Sequence, residues 1–400
     1  MLTFVNVLGF SILIPILPFV VKDHNAPTWI YGLLLTFYSA FQFLGSPYLG
    51  SLSDSLGRKP ILLISQAGTL LSWFVFLVAG FIADIPIMGL ALPIWIIGLS
   101  RILDGITGGN TSVTNAYVSD ITNRDEKSYV FGYMGGIVGI GMIIGPAIGG
   151  LSASTSLGHT GTVLTAIGIS IITLITITFW LKESLPPQKR KIRKKESFID
   201  QFFILRRIKN EQPNAHIKLL FKVKFFFSMM MAFYIATIAL FLIDTFRFDE
   251  KELGIFMFII GIFLSFNQAF ISRIFIRKLG EIKTLFIGLI LTVIGIICIT
   301  LTTNIYLFIS FYYFLNLGLS LCFPTFNALI SINSESNNQG EVMGISESIH
   351  SFCMASFPII AAGLYGLIGF HLYYFIAVLP LIAVSIAYWG YKKLDKSLIK

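Results

Sequence analysis

A chain of 400 residues that is 55% hydrophobic and only 12% charged lies outside the composition of soluble domains. Its net charge of +9 invites a nucleic-acid reading, but basic residues gathered in alternate loops have a simpler origin in the positive-inside rule, and no nucleic-acid partner is expected. Cys298, Cys322 and Cys353 are odd in number and lie inside apolar runs, so they imply neither a disulfide framework nor a metal cluster.

A hydrocarbon core about 30 Å thick takes roughly 20 apolar residues to cross as helix. Runs of that length recur from end to end, which excludes a barrel of short alternating strands. They predict twelve spans, near 2–21, 30–50, 61–83, 91–118, 128–152, 161–181, 222–245, 253–275, 283–303, 305–330, 342–368 and 371–391. The first lacks the basic start and small-residue cleavage site of a signal peptide and counts as a span. Of the 29 Lys and Arg, only Lys22, Arg247 and Lys251 fall on one side and Arg101 and Arg273 inside spans; the rest share the side of the termini. That asymmetry places both termini in the cytoplasm of a multi-pass protein of the inner (plasma) membrane.

In chain order, the first polar group inside a span is Asn6, followed by Pro15 and Pro18, and span two adds Gln42. Spans two and three are joined by Gly50-Ser-Leu-Ser-Asp54-Ser-Leu-Gly57-Arg58-Lys59-Pro60. Its glycines permit a sharp turn, and Asp54 and Arg58 are suited to charge-assisted bonds with neighbouring helix ends. In span four, Arg101, Asp104, Gly108, Thr111 and Asn115 recur at helical steps and form one polar face, with Asn110 beside them. Arg101 lies roughly 15 Å into the span at about 1.5 Å per residue. An ionisable group at that depth is costly and marks function. One turn on, Asp104 either forms a permanent pair with it or alternately holds and releases a proton. Burial favours the neutral acid and the adjacent cation favours the carboxylate.

Span five repeats glycine at four-residue steps through Gly141, Gly145 and Gly149, with Gly150 and Pro146. This is either a hinge or a static close-packing face. The connection 185–220 separates an N-terminal six-helix bundle, 1–184, from a C-terminal one, 221–400. Its basic run 189–195 and apolar Phe198, Ile199, Phe202, Phe203 and Ile208 read as an interfacial helix on anionic lipid or as a plain basic linker. In the second half, 273–283 echoes the charged turn, with Gly280 set against Gly57 and Arg277 against Asp54. Asn267 and Gln268 in span eight and Asn316 and Asn327 in span ten add uncharged polar groups, which either face a cavity or join helices. In span eleven, Glu347 and His350 stand one turn apart, as a proton relay or as solvated vestibule residues.

Twelve spans, a long central connection and the Gly-x-x-x-Asp-x-x-Gly-Arg-Lys turn resemble the major facilitator superfamily. Arg101-x-x-x-Gly105-x-x-Gly108, Ala116-Tyr-Val-Ser-Asp120-Ile-Thr122 and Gly141-x-x-x-Gly145-Pro146-x-x-Gly149-Gly150 are similar to its drug:proton antiporters of the tetracycline-efflux type. The resemblance implies an all-α membrane protein of twelve helices in two pseudo-symmetric six-helix bundles. It makes Gly50, Asp54, Gly57, Arg58 and Asp120 a cytoplasmic latch and Arg101 the arginine of proton transfer. Two departures stand out: Asp104 replaces the family's small residue, and Asn6 replaces the acid that precedes the Pro-x-x-Pro segment, which weighs against tetracycline itself as substrate.

No Walker-type motif is present, so the proton gradient is the expected fuel and no cofactor or metal is called for. The expected function is proton-coupled efflux of a small hydrophobic or amphipathic solute by a monomer in contact with membrane lipid. The alternatives are a proton-coupled importer of a nutrient or siderophore, or a lipid flippase. A membrane-embedded enzyme has only Glu347 and His350 to support it.

Overall fold

The computed structural model describes residues 2–123, 126–190, 214–334 and 339–398. The basic run 191–195, the amphipathic stretch 198–209 and Arg124 lie outside these residues. Helices run α1 Leu2–Ser11, α2 Leu17–Asp23, α3 Thr28–Leu56, α4 Arg58–Ala79, α5 Leu92–Gly108, α6 Thr111–Ile121, α7 Lys127–Ala153 and α8 His159–Trp180. They continue as α9 Ala215–Phe246, α10 Glu250–Phe266, α11 Ser272–Cys298, α12 Ile305–Asn333, α13 Gln339–Ser356, α14 Pro358–Ile368 and α15 Leu372–Leu398. The protein is all-α and membrane-spanning: every predicted apolar run lies on helix. Seven stretches among the described residues meet both the length and the hydropathy needed to cross a bilayer, the longest being Glu250–Cys298.

Several spans are broken where the sequence reading made them continuous. Span one divides into α1 and α2 because Pro15 has no N–H to give, and the chain tightens to Ile14 N–H to Ser11 O at 3.2 Å before resuming at Leu17. Span four breaks at Gly109 and Asn110, between α5 and α6. Span eleven breaks at Phe357, ahead of Pro358. Span eight carries a π-helical turn, Asn267–Ile271, between α10 and α11. A short ladder, β1 Pro86–Ile87 with β2 Leu90–Ala91, closes the connection before α5. Met88 and Gly89 both have positive φ (51° and 82°), the geometry of a tight two-residue hairpin turn.

Chain contacts group into two compact units, Met1–Phe202 with Phe248–Ile259, and Phe203–Arg247 with Ile260–Lys400. In the first, α3 and α4 pack on α5, α4 on α8 and α1 on α7. Small residues set these distances. A Cβ at Gly105 meets Tyr38 O at 2.5 Å, and one at Gly109 meets Ser46 N at 2.5 Å, so α3 and α5 touch backbone to backbone. In the second unit, α11 packs on α12 through Gly288, Gly295 and Gly318, and α9 packs on α15.

Hydrogen bonds in the first unit sort its connections into two ends. The segment after α3, the end of α6 and the segment after α8 meet through Arg58, Asp120 and Glu183. The end of α2, the segment before β1, the start of α8 and the start of α10 meet through His24, Asp84, Asp23, His159 and Glu250. Odd and even connections therefore lie at opposite ends, as successive crossings require.

Candidate functional site

At the first of these ends, Gly57 has φ 105° and ends α3, so α4 starts at Arg58 in a reversed direction. Arg58, only 7% exposed, gives Nη1 to Asp54 Oδ1 at 2.6 Å and to Ser53 Oγ at 2.6 Å, and Nε to Asp120 Oδ2 at 3.0 Å. Two carboxylates from two helices thus hold one guanidinium in charge-assisted bonds. Gly50 lies against α6, where an added Cβ meets Ser112 Oγ at 3.2 Å.

Glu183 completes this centre and was missed in the sequence. It accepts the backbone N–H of Arg58 at 2.9 Å and of Lys59 at 3.1 Å, filling the orphan donors of the first turn of α4. Burial pushes its carboxyl upward, but N–H donors of Leu185, Arg58, Lys59 and Ser184 together outweigh that and hold it below the ordinary range. Ser184 Oγ donates to Asp120 at 3.2 Å, and Lys59 Nζ reaches Thr178 O at 2.9 Å. A charge in a basic-looking connection carried no periodic signal.

Deeper in the same unit, Arg101 and Asp104 are 2% and 3% exposed, and Nη1 meets Oδ2 at 3.1 Å. The guanidinium lies over the Trp73 ring at 5.1 Å and the Phe76 ring at 5.6 Å. Its Nη2 reaches Ser100 Oγ only at 3.4 Å, and Nε has no partner among the described residues. Thr69, Ser72 and Tyr38 surround the pair. Gln42 donates to Tyr38 Oη at 3.1 Å and to Gly108 O at 3.3 Å.

The polar face read along span four is interrupted by its break: Arg101, Asp104, Gly108 and Asn110 are buried, whereas Thr111 and Asn115 are exposed. Asn110 donates to Ser65 Oγ at 2.5 Å and accepts from Asn6 Nδ2, so Asn6, Asn110 and Ser65 form a buried chain across α1, α4 and the α5–α6 break. Asn6 Oδ1 is left without a partner among the described residues.

On α7 the glycine steps have two different surroundings. Added Cβ atoms at Gly145 and Gly149 collide with Ser11 and Ile12, and one at Gly141 meets Phe4 O at 3.2 Å. Gly150 faces Gly254 at 3.0 Å, beside Pro146. Gly135 and Gly136 have nothing within 4 Å.

In the second unit, Glu347 and His350 do not bond one another among the described residues. His350 Nδ1 lies 3.4 Å from Ser228 Oγ, and Glu347, 68% exposed, has Oε2 3.7 Å from Lys224 Nζ. Lys224 is 8% exposed and donates to Ser346 Oγ at 2.7 Å. Counted by position as a connection residue, it stands well inside α9, which begins at Ala215. Asn267 and Asn316 are buried and bonded at 3.3 Å, with Asn316 also donating to Ile260 O at 3.0 Å. Gln268 is half-buried and Asn327 exposed. Gly280, set against Gly57 by sequence, shares its backbone: φ 77°, ψ 169° against φ 105°, ψ 158°. The ion network is not repeated there, since none of Arg273, Arg277 and Glu281 forms an ion pair among the described residues.

The profile of the Major Facilitator Superfamily matches residues 1–354. The chain is 27% identical over 377 residues to the class H tetracycline resistance protein of Pasteurella multocida, covering 91% of this chain and 87% of that one. It is 28% identical over 353 residues to multidrug resistance protein 2 of Bacillus subtilis (strain 168), covering 87% and 83%. Among solved structures, the human organic anion transporter MFSD10 (TETRAN) superposes with a TM-score of 0.71 at 21% identity, over 96% of this chain and 97% of that one. A bacterial homolog of the human lysosomal transporter Spinster, inward-facing and unoccupied, gives 0.74 at 13% identity, over 99% and 96%.

Proposed function

The chain belongs to the major facilitator superfamily, and on that premise we propose that it exports a small hydrophobic or amphipathic solute in exchange for protons, by alternating access. The observation that carries this reading is the Arg101–Asp104 pair, two charges 3.1 Å apart and almost wholly buried in a membrane span. Taking one ion out of water costs several kcal/mol, and breaking a buried pair costs about 3–5 kcal/mol. Such a pair changes state only if a proton neutralises the acid. Arg101 Nε and Nη2 are then the donors left for a substrate or a second acceptor.

In this reading the proton taken by Asp104 comes from the side holding Lys22, Arg247 and Lys251, and both termini lie in the cytoplasm of the inner membrane. Bundles 1–184 and 221–400, joined by 185–220, exchange the open side. Gly50, Asp54, Gly57, Arg58 and Asp120 serve as the cytoplasmic latch, supported by the sharing of Arg58 between two carboxylates. Gly141, Gly145, Pro146, Gly149 and Gly150 are the hinge of α7. Glu347 and His350 are a secondary proton relay, with Lys224 Nζ 3.7 Å from Glu347 Oε2. Asn6, Gln42, Asn110, Thr111, Asn115, Asn267, Gln268, Asn316 and Asn327 line or brace the path. No cofactor is needed, and a monomer suffices.

Kinship with tetracycline and multidrug resistance proteins favours a drug-like solute. A susceptibility panel in an efflux-deficient host identifies it. In inverted vesicles with an acid interior, that compound discharges the proton gradient, and Asp104→Asn abolishes the discharge while retaining binding. Deeper acidification on adding the compound, no proton movement, or full transport by the Asp104→Asn variant refutes the reading.

A further inference from the structure

At the end of the first unit opposite Arg58, α2, α4, α5 and α8 enclose a cavity of about 230 Å³. Its wall includes Asp23, His24, His159 and Thr160, together with apolar Val20, Ile97 and Val163. Phe76 belongs to the same wall and has the Arg101 guanidinium over its ring at 5.6 Å. A volume of this size admits several waters, so an aqueous space lies one aromatic ring from the buried ion pair.

Both histidines of the wall are set against carboxylates. His159 Nε2 is 2.9 Å from Asp23 Oδ2 and 3.9 Å from Glu250 Oε1, and its Nδ1 is buried with no partner among the described residues. His24 Nδ1 is 2.7 Å from Asp84 Oδ1. Lys22 is the neighbouring charge on α2, and Asp249, Lys251 and Glu252 flank Glu250; Asp249 and Glu252 cap each other's backbone at 2.7 and 3.1 Å. Imidazole is the side chain that gains a proton between pH 8 and 5, and three carboxylates around two imidazoles concentrate protons from solution.

We propose that this cavity is the outer proton port of the Arg101–Asp104 pair, with His159 as the group that takes the proton. With Nε2–H donated to Asp23, neutral His159 accepts an external proton at Nδ1 and becomes an imidazolium held by Asp23 and Glu250. It returns to the neutral form when the Phe76 ring turns aside and water relays the proton from the cavity to the Asp104 carboxylate, which becomes a neutral acid and releases Arg101. His24 and Asp84 form a second loading pair at the rim. The inference rests on Asp104 as the coupling acid and on the proposed orientation.

The native indole of Trp73, stacked on Arg101, reports the inner event. Full-length protein is reconstituted in nanodiscs with Trp29, Trp95, Trp180 and Trp389 replaced by Phe, and Trp73 fluorescence is followed from pH 8 to 5. The expected result is a titration that His159→Gln moves at least tenfold in proton concentration, that His24→Gln/His159→Gln abolishes, and that His371→Gln leaves unchanged. Imidazole ¹⁵N shifts of the same samples show whether His159 itself titrates. A silent Trp73, a titration unaltered by the double variant, or an untitrating His159 overturns the proposal. If Asp104→Asn preserves a titration that the histidine variants abolish, the port stands and Asp104 is not its acceptor.

Discussion

Gly57 and Gly280 allow the charged turn to be tested against its own internal copy. Both have positive φ with ψ of 158° and 169°, a region essentially reserved for glycine, so replacing either with Ala costs on the order of 1–3 kcal/mol of backbone strain. Their surroundings differ. A Cβ at Gly280 meets nothing within 4 Å, whereas one at Gly57 lies 2.6 Å from Glu183 Oε2 and 2.9 Å from Arg190 Nη2. Arg190 can swing its end aside, but Glu183 is fixed by the N–H groups of Arg58 and Lys59 and must leave them. Losing a helix cap costs about 0.5–2 kcal/mol. Gly57→Ala is therefore expected to cost about 2–4 kcal/mol, and Gly280→Ala about half of that. At roughly 2–4 °C per kcal/mol for domains of this size, thermal unfolding in detergent separates them by several degrees. In a Glu183→Ala background the collision is gone, and Gly57→Ala falls to the Gly280→Ala value. Equal losses for the two single variants, or a Gly57→Ala loss unchanged by Glu183→Ala, refute the capping role.

Because backbone donors hold the Glu183 carboxyl below the ordinary value of 4.5, its contribution is complete above that pH and is lost as pH falls through the depressed value. The melting temperature of Glu183→Gln is thus expected to fall less steeply below about pH 4.5 than that of the parent, while the two run parallel near neutrality. Asp54→Asn removes one of the two carboxylates on Arg58 and is expected to reduce transport by tenfold or more in a vesicle flux assay; Arg277→Gln, outside any described ion pair, leaves it within twofold. On α7, Gly149→Ala drives a methyl into Ile12 and costs about 1–3 kcal/mol, whereas Gly135→Ala is neutral by thermal unfolding.

The fold was legible because lipid imposes one rule on every span: long, apolar and helical, with basic residues gathered on one side. The Arg58 centre was legible for a related reason, since glycines and charges at fixed spacing have few uses between two helices. Glu183 was not, because its partners are backbone N–H groups of Arg58 and Lys59, and a backbone donor leaves no mark in composition. Lys224 falls only two residues inside the predicted span 222–245, where it reads as one more basic residue of the connection; α9 begins at Ala215, about two turns earlier, and buries it. Asn6 and Asn110 show the converse difficulty. Asn6 on α1 donates to Asn110 in the α5–α6 break, and spacing along one chain segment does not distinguish a polar group facing a cavity from one bonded to a neighbour.

The two ends of the first unit use different chemistry, and the difference bears on pH dependence. At one end Arg58 is paired with Asp54 and Asp120, with no imidazole in the pairing. At the other end the pairings are His24 with Asp84 and His159 with Asp23, whose strength grows when imidazole gains a proton. In the proposed orientation the titrating pairs face the acidic outside and those of Arg58 face the buffered cytoplasm. External acid then strengthens contacts among α2, α8 and the connection before β1 within the first unit, while leaving those of Arg58 untouched. Exchanging the partners, as in Asp84→Asn with Asp23→Asn, removes the acid-dependent tightening, and the external-pH dependence of solute-driven proton flux is expected to flatten between pH 5 and 8 while the flux itself persists. An unchanged pH profile in that double variant would assign the pH dependence to the Arg101–Asp104 pair alone.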